Sequence, residues 1–192
     1  MLSVTRKIRD LCSLPAYISG WLIFPLIIII CVGVLGAKFG INQLFDWDNE
    51  IFLLGDALTL NSLLDFQWCI FALVVLFGGV CSYIDNQHVK VDLFSNGFSL
   101  KKKAVVGLLG DLFFLTPFLL IIVFYGSKFA YTSFLSGEGS TYGGLQDRWV
   151  IKACLPLSAS IFMIAVLTRV IDRFFELFAK PNGSVGGVSN DD

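Results

Sequence analysis

The chain has 192 residues, of which 56% are apolar and 15% are charged, and its formal net charge is −1. A soluble domain of this size usually carries about a quarter charged residues, and this chain carries far fewer. The surplus of apolar surface requires a non-aqueous solvent, so the composition indicates a membrane protein. There is no basic stripe with interleaved aromatic residues, and nucleic acid is not an expected partner.

Four apolar stretches are long enough to cross a bilayer as helices, which takes about 20 residues. Strands are excluded by the length of these stretches and by their lack of period-two alternation. The expected fold is an all-α integral membrane protein, with residues 1–180 as one four-helix membrane domain and residues 181–192 as a disordered tail. The predicted spans cover residues of about 14–37, 66–84, 104–127 and 150–171.

The orientation follows from the basic residues in the connecting segments, which are retained in the cytoplasm. The N-terminal tail carries three of them, the connection at residues 85–103 carries four, and the C-terminal tail carries three. The connection at residues 38–65 has one basic residue against five acids, and the connection at residues 126–149 has two basic residues. We therefore expect both termini in the cytoplasm and a multi-pass protein of the bacterial inner membrane.

The segment after the first span mixes carboxylates with large apolar residues. It is too polar to span the membrane and too apolar for a free loop, so we predict a short amphipathic interfacial helix. This helix would lie on the outer membrane surface or pack on a partner subunit, and the pattern fits both. The acids that could contact a partner are Asp46, Asp48 and Glu50.

The only histidine, His88, lies in the polar interval between the second and third spans, close to Lys90 and Asp92. A metal site would need several ligands, and a general base would need a nucleophile and a pocket. Neither is visible in the sequence, and the five cysteines form no CxxC pair. We therefore expect no metal, no cofactor and no enzymatic activity.

Asp111 is the one acid within a predicted span, and an intramembrane carboxylate is by default a functional hypothesis. It follows Lys103 by ~12 Å of helix, which places it in the cytoplasmic half of the membrane. No cation lies three or four residues away in the sequence. A single carboxylate favours a packing contact or an interface over an ion site, and both readings stay open.

The connection before the last span is rich in glycine and ends in a group of interfacial residue types. Trp149 is expected to be an aromatic anchor at the membrane surface. Lys152 would then start the helix, and Pro156 would lie in its first turns, where a missing N–H costs least.

Two motifs resemble the small, Q-type membrane subunit of tripartite ATP-independent periplasmic (TRAP) transporters. That family typically has G-H-V-R-V-D between its second and third spans, where this chain reads QHVKVDLF. Its last span typically opens with Trp, a Lys three residues on and a Pro four further, as Trp149, Lys152 and Pro156 do here. An acid shortly before a Trp at the second span also recurs, here as Asp65 and Trp68.

The segment GGLQDRW, which includes Gly144 and Arg148, is similar to the branch associated with mannitol, chloroaromatic or 2-oxo-acid substrates. The resemblance runs from about residue 21 to residue 175. The chain departs from the pattern at Gln87, at Lys90 and at Ser158, which replace the usual Gly, Arg and Gly. At Lys90 the side chain lacks the bidentate geometry of the Arg that the family usually has there.

The resemblance implies a subunit that packs on a large permease subunit and supports Na⁺-coupled uptake of an organic acid delivered by a periplasmic binding protein. It implies a cytoplasmic structural motif at His88, Lys90 and Asp92, and membrane lipids as further contacts. The alternative is a self-sufficient, homo-oligomeric small transporter or channel, which would need polar residues along a path. A membrane redox protein would need paired Cys or His within spans, which are missing from the sequence.

Overall fold

The computed structural model describes residues 2–85, 99–140 and 144–178. The tail at residues 181–192 and the segment around His88 therefore lie outside the described residues. The prediction of an all-α protein with four transmembrane helices is confirmed. Among the described residues, four helices are long and apolar enough to cross a membrane: Lys7–Phe39, Leu60–Ile84, Lys102–Leu135 and Trp149–Phe175.

The first span consists of two helices, α1 (Leu2–Trp21) and α2 (Ile23–Phe39), with a break between them. Pro25 explains the break, because it has no N–H for the carbonyl of the residue four positions earlier and its ring would clash with that carbonyl. The chain recovers by bonding the Leu22 N–H to the Ser19 carbonyl at 3.0 Å. Pro25 then sits in the first turn of α2, where no N–H is needed.

A two-stranded antiparallel hairpin follows the first span, where we expected an amphipathic helix. Strand β1 (Gln43–Ile51) pairs with strand β2 (Gly55–Thr59). The prediction of a short interfacial helix was therefore wrong, although the segment does lie between the first two spans as expected.

The backbone at the turn explains why this segment is not helical. Leu53 and Gly55 adopt left-handed conformations with φ values of 73° and 69°. Such residues end a right-handed helix and permit a tight reversal of the chain. The indole N–H of Trp47 also donates to the Gly55 carbonyl at 2.6 Å across the hairpin.

The second span, α3 (Leu60–Ile84), begins directly after β2 with a capping box. Thr59 Oγ1 accepts a hydrogen bond from the Ser62 N–H at 3.1 Å, and Ser62 Oγ accepts one from the Thr59 N–H at 3.4 Å. These bonds satisfy N–H groups that the helix itself leaves unpaired. The side chain of Ser62 is fully buried.

The third span is α4 (Leu100–Gly110) and α5 (Thr116–Leu135), joined by a π-helical turn at Asp111–Leu115. The turn precedes Pro117, which cannot continue an ordinary hydrogen-bond ladder. The hydroxyl of Thr116 instead donates to the Asp111 carbonyl at 2.8 Å, and the Thr116 N–H reaches the same oxygen. The fourth span is α6 (Trp149–Phe178).

The spans are not arranged in chain order. Helices α3 and α6 lie in the middle, α1 and α2 pack on α3, and α5 packs on α6. The most apolar stretches of the first and third spans are only 6% buried, against 22% for the second and fourth. The first and third spans therefore form the two flanks and expose most of their apolar surface.

The inner spans meet through small residues and neutral hydrogen bonds. Val80 of α3 and Ala165 of α6 are almost completely buried against Cys12 of α1. Ser158 Oγ of α6 donates to the Leu76 carbonyl of α3 at 2.8 Å. Hydrogen bonds between helices and close approach of their backbones commonly stabilise helix association in lipid.

We predict that Gly36→Leu destabilises the contact between α2 and α3. A Cβ at Gly36 would lie 2.8 Å from Leu60 Cδ2, so a larger side chain overpacks this contact, at about 1–3 kcal/mol. Thermal unfolding of the detergent-solubilised chain measures the effect. The matched control is Gly78→Leu, because a Cβ at Gly78 meets nothing within 4 Å. Equal melting temperatures for the two variants would contradict the close approach.

Candidate interaction surfaces at the two ends of the bundle

One turn of α6 near its C-terminal end, which we assign to the cytoplasm, carries three charged residues, Arg169, Asp172 and Arg173, each of which contacts a different span. Arg173 Nη1 lies 2.9 Å from Asp111 Oδ2 at the start of the π-helical turn. Asp172 Oδ2 lies 3.4 Å from Arg9 Nη2 of α1. Their spacing along the helix places these charges on adjacent sides of α6.

Arg169 completes this network on α3. Its guanidinium donates to the Tyr83 carbonyl at 3.2 Å and stacks 4.4 Å from the centre of the Tyr83 ring. A cation over an aromatic face is attracted by the electrons of the ring, most strongly where water is excluded. Together the three residues connect α6 to every other span.

The pairing with Arg173 assigns Asp111 a partner inside the chain. The side chains of Asp111 and Arg173 are 14% and 24% exposed, so the pair is largely shielded. Gly107 makes room for it, because a Cβ there would overlap the Arg173 guanidinium. The sequence predicts a packing or interface contact for Asp111 and shows no cation within four residues of it, because its partner lies on another helix.

The ion pair lies at a depth in the membrane where charged side chains are tolerated. Arg173 lies about 36 Å along α6 from Trp149, at 1.5 Å per residue. The hydrocarbon core of a bilayer is about 30 Å thick. With Trp149 at the outer surface, the pair lies at the inner edge of the core. A charge costs less there than at the centre of the core.

The outer loop at the other end is held mainly by backbone groups. The N–H of Leu145 donates to Asp65 Oδ2 of α3 at 3.2 Å, and the N–H of Gln146 donates to the Leu53 carbonyl of the hairpin at 2.9 Å. Leu145 is buried, with 3% of its surface exposed. Gly144 has to be a glycine, because a Cβ there would overlap the Asp65 carboxylate.

Glu138 and Lys152 form an ion pair across the base of this loop. Ser133 Oγ also donates to Glu138 Oε2 at 2.9 Å. The hydrogen bond from Lys152, with the one from Ser133 second, holds the pKa of Glu138 below its usual value. The ammonium of Lys152 also lies 4.3 Å from the centre of the Phe129 ring, so it links the loop to α5 and α6.

Other residues that the sequence singled out fall at both surfaces and inside the bundle. The Trp149 ring packs edge-on against Phe134 of α5 at 5.2 Å, and Pro156 is buried where α6 meets α5. Trp68 of α3 is 71% exposed. Arg148 and Asp46 are exposed at the outer end. The side chains of His88, Lys90, Asp92, Asp48 and Glu50 lie outside the described residues.

In the part of the chain that the structure describes, no three His, Cys, Asp or Glu side chains come close enough to hold a metal ion. The fold and the polar contacts at its two ends define a small four-span integral membrane protein. Its spans are linked to one another at both ends of the bundle. Comparison with family models makes this assignment specific. The chain belongs to the family of tripartite ATP-independent periplasmic transporters, DctQ component, whose model matches residues 26–176.

No curated protein sequence matches the chain significantly. The family match makes the chain a small component of a TRAP transporter, and thus a transport protein of the bacterial inner membrane. This confirms the resemblance to that family. The family is one of transporter components rather than of enzymes.

We predict that Asp111→Leu and Arg173→Met each lower stability by about 2 kcal/mol, because each leaves a shielded charge unpaired. The double variant should recover most of the loss, since replacing both partners by apolar residues removes the unpaired charge. Thermal unfolding of the four proteins in detergent forms the double-mutant cycle.

Asp10→Leu is the control for this cycle, because Asp10 is an exposed acid on α1 that makes no ion pair among the described residues. Additive losses in the double variant would show that Asp111 and Arg173 do not interact.

Proposed function

We propose that this chain packs on the large permease subunit of a TRAP transporter and supports Na⁺-coupled uptake of an organic acid that a periplasmic binding protein delivers. The family match over residues 26–176 carries the proposal. In this proposal the large subunit holds the substrate and sodium sites, and this chain contributes a fixed support.

The distribution of apolar surface supports a packing role. Large apolar side chains of both flanks are more than half exposed, including Ile28 and Val34 of α2 and Phe118 and Tyr125 of α5. A polytopic partner can bury such a flank, while lipid covers the other.

The charged turn of α6 supports a fixed rather than a moving role. Sliding α6 against α1, α3 or α5 would separate Arg169, Asp172 or Arg173 from its partner. Each separation leaves a charge in a poorly hydrated environment, which is costly. A bundle held in this way can anchor a partner subunit that changes conformation.

The hairpin offers an outer surface for the periplasmic binding protein. Asp46 on β1 is exposed at the end of the bundle that we assign to the periplasm. We propose that this carboxylate contributes to docking. Exposed charges at the rim of an interface mainly steer encounter, so their effect is on association.

The decisive experiment is affinity purification of the tagged full chain from its native membrane in mild detergent, with every co-purifying protein identified. A large polytopic partner in equal amount is the expected result. A chain that purifies alone as a homo-oligomer would overturn the proposal and favour a small, self-sufficient transporter or channel.

A second prediction concerns docking in proteoliposomes that hold the whole transporter. Asp46→Lys should raise the concentration of periplasmic binding protein needed for half-maximal uptake, without changing the amount of assembled complex, since rim charges set encounter rates. Asp10→Lys is the control, because it makes the same charge change at the opposite end of the bundle. An unchanged concentration dependence for Asp46→Lys would remove Asp46 from the docking surface.

A further inference from the structure

A cleft separates the outer halves of the two inner spans, α3 and α6. Its cavity measures about 450 Å³. Phe66, Cys69 and Leu73 of α3 form one wall, Ile151 and Cys154 of α6 form the other, and Leu145 of the outer loop closes the top. The cleft is thus enclosed by two helices and a loop, and it lies at the depth of the outer leaflet.

The packing of the inner spans explains why the cleft exists. Deeper in the bundle α3 and α6 touch, through the bond from Ser158 to the Leu76 carbonyl and through Val80 and Ala165. Toward the outer end, the buried side chain of Leu145 lies between them. The two helices therefore leave a space below the loop that none of the described side chains fills.

The polarity of the cleft changes along its length. Its charged lining residues, Asp65, Asp147 and Arg148, lie at the outer rim, and the deeper lining is apolar. From Asp65 to Leu73 the wall runs ~12 Å along the helix. One leaflet of hydrocarbon is about 15 Å deep, as half of a core of about 30 Å. The cleft is therefore charged at the outer surface and apolar below it. A phospholipid of the outer leaflet has the same order, with its headgroup above its acyl chains.

Arg148 supplies the charge that a phosphate needs. It is exposed, and its guanidinium makes no ion pair with any carboxylate among the described residues. On the opposite wall, Oδ2 of the Asp65 carboxylate accepts a hydrogen bond from the N–H of Leu145. Guanidinium groups bind phosphate oxygens through paired, charge-assisted hydrogen bonds.

The backbone holds Arg148 in this position. Asp147 adopts a left-handed conformation with φ of 52°, and the N–H of Arg148 donates to the Glu138 carbonyl at 3.1 Å. A residue other than glycine in this conformation carries strain that its surroundings have to offset. The Asp147 carboxylate at the same rim suits a headgroup that bears an ammonium beside its phosphate.

We propose that the cleft between α3 and α6 binds one zwitterionic phospholipid of the outer leaflet, with an acyl chain in the cavity and the phosphate at Arg148. The bound chain fills the space between the two central helices and stiffens their joint below the outer loop. A side chain of a partner protein is the competing occupant, and it would not require an unpaired cation above an apolar cavity.

The first test is native mass spectrometry of the full chain, purified with its co-purifying proteins and washed extensively with detergent. The wild type should retain one phospholipid for each copy of the chain. Ala72→Phe fills the cavity and should abolish retention. Arg148→Gln should lower retention about tenfold, the factor that a lost charge-assisted hydrogen bond represents.

Lys128→Gln is the matched control, because Lys128 is another cation near the outer end but lies over the Phe124 ring, away from the cleft. It should leave retention unchanged. Equal retention in the wild type, Ala72→Phe and Arg148→Gln would overturn the proposal. Should Ala72→Phe not fold, Ile151→Trp fills the same cavity from the opposite wall.

The second test locates the lipid. A zwitterionic phospholipid with a diazirine in its acyl chain is photolysed in proteoliposomes that contain the assembled protein. Adducts on Leu73, Ile151 and Cys154 that disappear in Ala72→Phe support the proposal. Adducts on an exposed flank residue such as Ile28 but none in the cleft would overturn it and indicate a partner protein there. The large subunit is scored in the same preparation, so loss of the lipid and loss of the complex are distinguished.

Discussion

The ion pair between Arg173 of α6 and Asp111 of the third span is the contact on which the cytoplasmic half of the bundle depends. Charges cost less at the inner edge of the hydrocarbon core than at its centre, but removing one partner of a shielded pair leaves an uncompensated charge. Asp172 and Arg169 extend the same turn to α1 and α3. Because one turn of α6 contacts all three other spans, the cytoplasmic ends of the four spans are held in fixed positions relative to one another.

The outer end follows a different rule. Its loop is held by backbone N–H groups that reach Asp65 and Leu53, and by the ion pair of Glu138 with Lys152. These contacts fix the hairpin and the loop relative to each other but do not close the gap between α3 and α6. The bundle thus has fixed contacts at its cytoplasmic end and a cleft at the outer leaflet. This arrangement suits the proposed support subunit, which stays in place while lipid or a partner protein covers its surface.

Much of the architecture was predictable because a bilayer has a fixed thickness, which turns apolar length into a helix count. The family was predictable because motifs such as Trp149, Lys152 and Pro156 recur at set spacings, and the family match confirms it. The substrate branch and the role of His88 stay predictions. The hairpin was missed because acids mixed with aromatic residues fit an interfacial helix and a strand about equally, and left-handed residues such as Leu53 decide between them.

The sequence by itself determined the class of protein, the number of spans and the membrane orientation that we assign, since hydrophobic length and charge are local properties. Only the tertiary structure decided which groups meet. Asp111 and Arg173 lie 62 positions apart, and Asp65 and Leu145 lie 80 apart. Such partners depend on the order in which helices pack, and helix packing in lipid is set by small residues and buried polar groups whose pairing no single stretch of sequence encodes.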